Sequence, residues 1–124
     1  MTVTELRRGD VVLVAFPFVA AGRTERKRRP ALVVQADRYN RRRHAVIIAQ
    51  ITSARTGVAL PCKVAVAQSS AAGRRAGLRL DSVIDCQTIA TVPSEEIVAQ
   101  LGTLTPELMV QVDKALTDAL GLQR

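Results

Sequence analysis

The sequence predicts a small, mainly β fold of the α+β class: a strongly curved sheet or barrel covered by one C-terminal helix. Short apolar runs rich in β-branched residues, at 11–16, 31–35 and 45–51, recur between charged or turn-forming stretches, which is the pattern of strands. Residues 105–121 instead repeat apolar side chains at helical spacing. The chain has 124 residues, 48% of them apolar. That is enough for one core and too little for two, so a single domain over 1–124 is expected.

Gly9-Asp10 is turn chemistry, and the run Val11 to Phe16 after it reads as a strand buried on both faces, ended by Pro17. Residues 18–28 carry Gly22 and many charges and read as a loop. A second strand covers 31–35, a second basic loop 36–43, and a third strand 45–51. A turn-rich connection over 52–60 leads to a fourth strand at 62–67, and 68–78 reads as a loop. Residues 81–86 and 88–92 form a strand pair or one bent strand. Pro93-Ser94-Glu95-Glu96 looks like the start of a short helix ending before Gly102, with Ser94 as cap and the acids at the positive end of the dipole. In the last element Thr105 suits the N-cap and Pro106 the first helical position. Leu108, Met109, Val112, Ala115, Leu116, Ala119 and Leu120 share one face, and Gly121 stops the helix.

The net charge is +7, almost all from arginine, and it is concentrated at 23–29 and 38–43. Such clustering points to a polyanion or an acidic partner. Residues 1–10 lack the apolar segment of a secretion signal, and no run approaches the ~20 apolar residues of a membrane helix, so a soluble, cytoplasmic protein is expected. Cys62 and Cys86 with the single His44 cannot supply the roughly four ligands of a tetrahedral metal site. No metal or other cofactor is expected. A disulfide is possible, though reduced thiols are commoner in a cytosolic chain.

The most pointed stretch is Lys27-Arg28-Arg29-Pro30, directly before the apolar run Ala31-Leu32-Val33-Val34. Pro30 pushes Arg29 towards an extended backbone and is itself tolerated at the first residue of a strand. A guanidinium is thereby held at the rim of a rigid sheet, where it can fork onto phosphate oxygens. The competing account is a rim arginine paired to a carboxylate such as Asp81. Arg26, Lys27 and Arg28, with Arg23 and Arg41–Arg43, can track a phosphate backbone, or they can be two solvated loops. Aromatic platforms for bases are few: Phe16 reads as core, leaving Phe18 and Tyr39.

These elements together resemble the MazF/PemK family, toxins of bacterial toxin–antitoxin pairs. The likeness runs in family order through Gly9-Asp10-Val11-Val12, Phe16-Pro17-Phe18, Arg28-Arg29-Pro30-Ala31-Leu32-Val33-Val34 and Asp37-Arg38-Tyr39-Asn40. It continues through Ile51-Thr52-Ser53, Asp81-Ser82-Val83, Gly102-Thr103-Leu104 and residues 108–122. The resemblance implies an SH3-like small barrel (MazF/PemK/CcdB-like), a homodimer and metal-independent, sequence-specific cleavage of single-stranded RNA (mRNA). It also implies silencing by a cognate acidic antitoxin. It makes Arg29 and Thr52 the catalytic pair, with Ser53 beside Thr52 as a further RNA contact. The sequence departs from the family after Ile84: relatives continue to Gln-Ile-Arg-Thr-Ile, and here Ala90 stands in the arginine's place.

Cleavage through the RNA's own 2′-hydroxyl suits this set. Arg29 can neutralise the phosphorane, but a guanidinium with a pKa above about 12 is not a free proton acceptor. His44 is the one imidazole that could serve as a general base, yet a single surface histidine is usually incidental, and it is left out of the set. Two other readings use the same fold: a CcdB-like poison that binds gyrase, and a degenerate relative that binds RNA or antitoxin without cutting.

Overall fold

The computed structural model describes residues 5–20, 23–41, 44–53 and 58–122, with backbone alone for 16–20 and 23–26. Six strands, β1 (Asp10–Ala20), β2 (Arg23–Val33), β3 (Ala45–Thr52), β4 (Lys63–Val66), β5 (Ser82–Pro93) and β6 (Ile97–Thr103), form one sheet. Their order is β4-β5-β3-β2-β1-β6, every neighbouring pair antiparallel. The edge strands β4 and β6 are not bonded to each other, so the barrel stays open. Short helices α1 (Asp37–Asn40) and α2 (Ala71–Arg75) sit in connections, and α3 (Pro106–Leu120) is the covering helix the sequence predicts. No helix among the described residues is long and apolar enough to cross a membrane.

Alternation along the central strands sends successive side chains into two different cores. Val11, Leu32, Ala49, Ile51 and Ile84 face α3 and bury its Val112 and Ala115. Val12, Val14, Ala31, Val33, Val46 and Ile48 form the second cluster, with Leu6 against it. Residues 11–14 therefore read as a nearly unbroken apolar run because both faces of their strand are covered. Thr105 caps α3 by accepting from Leu108 N–H at 3.3 Å, and Gly121 ends it in the left-handed region at φ 67°. Leu120, expected on the packed face, is 54% exposed in the last turn.

Four expectations are corrected. Residues 18–28 are not a loop: β1 and β2 continue as a hairpin arm, with pairing out to Ala20↔Arg23. Backbone ladders form whatever the side-chain polarity, so charge alone did not signal a loop here. Pro17 does not end β1 but pairs with Arg26 inside it, and Pro30 lies within β2 rather than opening it. The short helix after Pro93 is only a 3-10 turn, Ser94–Glu96, without a side-chain cap. Residues 97–103 then pair with β1 as an edge strand, because the free side of β1 offers donors and acceptors that a short helix could not satisfy. Residues 82–93 are one strand with a register shift.

Buried amides organise the turn from β2 to β3. Gln35 donates to Asn40 Oδ1 and to the Ala45 carbonyl, both at 3.0 Å, while Asn40 donates to the Gln35 carbonyl and to Asp37. Asp37 also accepts from Arg8 N–H at 2.6 Å, and these bonds, that from Arg8 first, hold its carboxyl below the usual range. At the other sheet edge Cys86 N–H donates to the Cys62 carbonyl at 3.0 Å, and both thiols are free. Burial, then the neighbouring Asp85 and Cys62, pushes the Cys86 thiol up to about 11.

Two tests follow from these buried groups. Asn40→Ala strands the Gln35 amide, so urea denaturation should show a loss of about 1–3 kcal/mol. For Cys86, the unfolded chain loses its proton from about pH 9 while the folded chain keeps it to about 11. Stability therefore falls as pH rises through that window, by at most ~1.4 kcal/mol per pH unit from this group. Urea melts at pH 8–11 should show a flatter decline for Cys86→Ser than for the wild type.

Candidate active site

β2 lies between β1 and β3, and its two registers place the basic motif. Leu13 pairs with Pro30 and Val14 with Arg29 on one side, while Ala31 pairs with Gln50 on the other. Continuing that second register two residues sets Arg29 across from Thr52, at the mouth where the β2–β3 ladder ends. A cavity of about 460 Å³ opens there, with Lys27, Arg28, Arg29, Thr52 and Ser53 on its wall. Arg29 and Thr52 are half-buried; Lys27, Arg28 and Ser53 are exposed. Arg29 is thus at a rim and not locked in the interior.

The facing wall comes from elements that the sequence reading passed over. The turn after α2 contributes Gly77, Leu78, Arg79 and Leu80; β5 adds Ser82, and β6 adds Leu101. Two glycines make this wall possible. Gly77, at φ 73°, sits where a Cβ would lie 2.3 Å from the Leu101 carbonyl oxygen, and Gly102 where one would lie 2.2 Å from that of Arg75. Only a missing side chain lets the turn press onto β6. The signal in sequence was the Gly77-Leu78-Arg79-Leu80 turn itself, but nothing local says that it faces Arg29.

Other candidates lie elsewhere. Tyr39 is on α1, at the opposite end of the β2–β3 pair from the cavity, 47% exposed, with the Arg38 guanidinium 4.9 Å from its ring centre. His44 precedes β3 while Thr52 ends it, roughly 27 Å apart along a strand rising about 3.4 Å per residue. The side chains of Phe16, Phe18, Arg23 and Arg26, like residues 42 and 43, lie outside the described residues. Ala90 is half-buried and pairs with Ile48, four residues along β3 from Thr52. Between them β5 bulges at Cys86, Gln87 and Thr88, where Asp85 accepts from Gln87 N–H and the Thr88 hydroxyl at 3.0 Å and pairs with Lys63 at 3.6 Å. Among the described residues no group of three or more His, Cys, Asp or Glu is placed to hold a metal ion.

The described lining is cationic, hydroxylic and aliphatic. Such a surface binds a polyanion and can stabilise charge that develops on a phosphate.

Residues 7–120 match the family model described as PemK-like, MazF-like toxin of type II toxin–antitoxin system. Over 117 residues the chain is 32% identical to the endoribonuclease MazF of Staphylococcus epidermidis, covering 94% of this chain and 92% of that one. Over 103 residues it is 32% identical to the endoribonuclease MazF6 of Mycobacterium tuberculosis, covering 82% of this chain and 86% of that one. Among solved structures it resembles a mycobacterial endoribonuclease in complex with its cognate antitoxin, with TM-score 0.73, 26% identity and coverage of 96% and 98%. MazF of Deinococcus radiodurans shares the fold, with TM-score 0.72, 21% identity and coverage of 95% and 98%.

The glycine contacts give the site its own test. A methyl group at 102 must displace the Arg75 carbonyl, so Gly102→Ala should cost about 1–3 kcal/mol in urea denaturation. Gly121→Ala meets no neighbour but has a positive φ, and should cost about 1 kcal/mol without touching the cavity wall.

Proposed function

The chain belongs to the PemK-like, MazF-like toxins of type II toxin–antitoxin systems, and from that premise we propose that it is an endoribonuclease toxin. It cuts single-stranded RNA such as mRNA at short sequences without a metal ion, works as a cytoplasmic homodimer, and is silenced by a cognate acidic antitoxin. The observation that carries this reading is the meeting of Arg29 and Thr52, from two strands, on the wall of one basic cavity.

The chemistry proceeds by attack of the 2′-hydroxyl oxygen on the adjacent phosphorus. An O2′–P bond forms as O2′ gives its proton to water, the P–O5′ bond breaks, and the products are a 2′,3′-cyclic phosphate and a 5′-hydroxyl whose oxygen takes a proton from water. Arg29 donates to the non-bridging oxygens as their charge grows, and Thr52 adds a hydroxyl donor. Ser53 extends that donor row. Lys27 and Arg28 hold flanking phosphates, which gives affinity without sequence information. Arg26 and Phe18 belong to the same hairpin arm and serve as further RNA contacts, while Tyr39 makes none with the scissile nucleotide. The antitoxin works by laying an acidic segment over the same cations, folding as it binds.

Purified protein incubated with RNA in EDTA tests the reading, with fold checked by circular dichroism. Arg29→Ala should lower kcat by roughly 10²–10³, and Thr52→Ala by roughly 10–10². RNA bearing 2′-deoxy at the scissile nucleotide should stay whole. Intact RNA together with inhibition of DNA gyrase would replace this reading with that of a protein-binding poison.

A further inference from the structure

Leu80 is 62% exposed, the most exposed large apolar side chain among the described residues, and Leu101 is 37% exposed. Neither contributes to a core cluster, yet both line the cavity that holds Arg29 and Thr52. Arg79 lies between Leu78 and Leu80 on the same wall and forms no hydrogen bond or ion pair with another described residue. The turn that carries them is pinned at both ends. Leu78 N–H donates to the Gly73 carbonyl at 3.1 Å, and Gly77 is pressed on the Leu101 backbone. Past Leu80, the Ser82 hydroxyl donates to the Leu80 carbonyl at 2.8 Å and Asp81 accepts from Gln68 N–H at 2.8 Å.

We propose that this turn is the second wall of the RNA cleft: Arg79 holds a phosphate next to the scissile one, and the Leu80–Leu101 pair seats the adjoining base. The inference rests on the nuclease reading and adds to it a part of the substrate that the Arg29 side does not reach. A guanidinium with no partner among the described residues, carried on a braced turn, meets a phosphate with little ordering cost. Two exposed leucines beside it bury themselves only when something flat and apolar covers them, and the face of a base does so. The cavity's 460 Å³ is in the range of small-ligand pockets. It therefore takes a single unstacked nucleotide and excludes a duplex.

The experiment measures binding apart from cleavage. A fluorescein-labelled, random-sequence 10-mer RNA, 2′-O-methylated throughout and so uncleavable by its own 2′-oxygens, is titrated by anisotropy at several salt concentrations. Arg79→Ala should weaken binding by about 5–20-fold and flatten the slope of log Kd against log salt by about 0.7, one single-strand phosphate contact. Arg79→Lys should restore the slope. Leu80→Ser should weaken binding to a similar extent with the slope unchanged. On natural RNA all these substitutions should raise KM while kcat stays within about threefold. Wild-type affinity and slope in Arg79→Ala, or no loss in Leu80→Ser, overturns the inference. A wild-type protein that binds the 10-mer but cuts no RNA overturns the nuclease reading instead.

Discussion

The site depends on one missing hydrogen-bond donor. Pro30 has no N–H, yet β2 pairs with β1 without interruption on either side of it. The nitrogen of Pro30 must then face β3, and the β2–β3 ladder ends one residue later, at Ala31↔Gln50. From that point the two strands can part while β2 stays bonded to β1. A cavity opens where a continuous ladder would have left a closed sheet, and Arg29 and Thr52 lie two residues beyond its last pair. Proline thus does two things here: it holds Arg29 extended and it ends the ladder that would have closed the mouth.

Charge then gives the opening its ligand. Lys27, Arg28 and Arg29 come from one strand and Arg79 from the facing turn, all on the wall of the same cavity. A surface with several cations on one wall attracts a polyanion. A nucleic-acid strand and an acidic peptide would both satisfy such a field, since each is a flexible polyanion. Because most of these groups face water, the attraction weakens with salt.

Rigidity is supplied from the other end of the molecule. Arg8 joins three parts: its backbone N–H reaches Asp37, its Nε the Val34 carbonyl at 2.9 Å, and its guanidinium Asp113 of α3 at 2.6 Å. The Asp113 pair is largely exposed and worth little alone, but the buried Gln35–Asn40 amides beside it leave few alternative arrangements. The two core clusters cover both faces of the central strands, so the mouth of the cavity is the end of a stiff sheet.

The mainly β class, the C-terminal helix with its Thr105 and Gly121 boundaries, the central strands and the basic motif before Pro30 were all legible in the sequence. Each rests on local chemistry: side-chain period, caps, and the torsion a proline imposes. The hairpin arm, β6 and the second wall were not. The arm is charged and is held by backbone bonds, which leave no side-chain pattern. Strand β6 follows an acidic Ser-Glu-Glu turn that imitates a helix start, and it is a strand because the edge of β1 is available to it. That Arg29, Thr52 and Arg79 line one cavity is a matter of register and of two glycines letting one backbone press on another. Both involve residues far apart in the chain, so only the folded molecule could decide them.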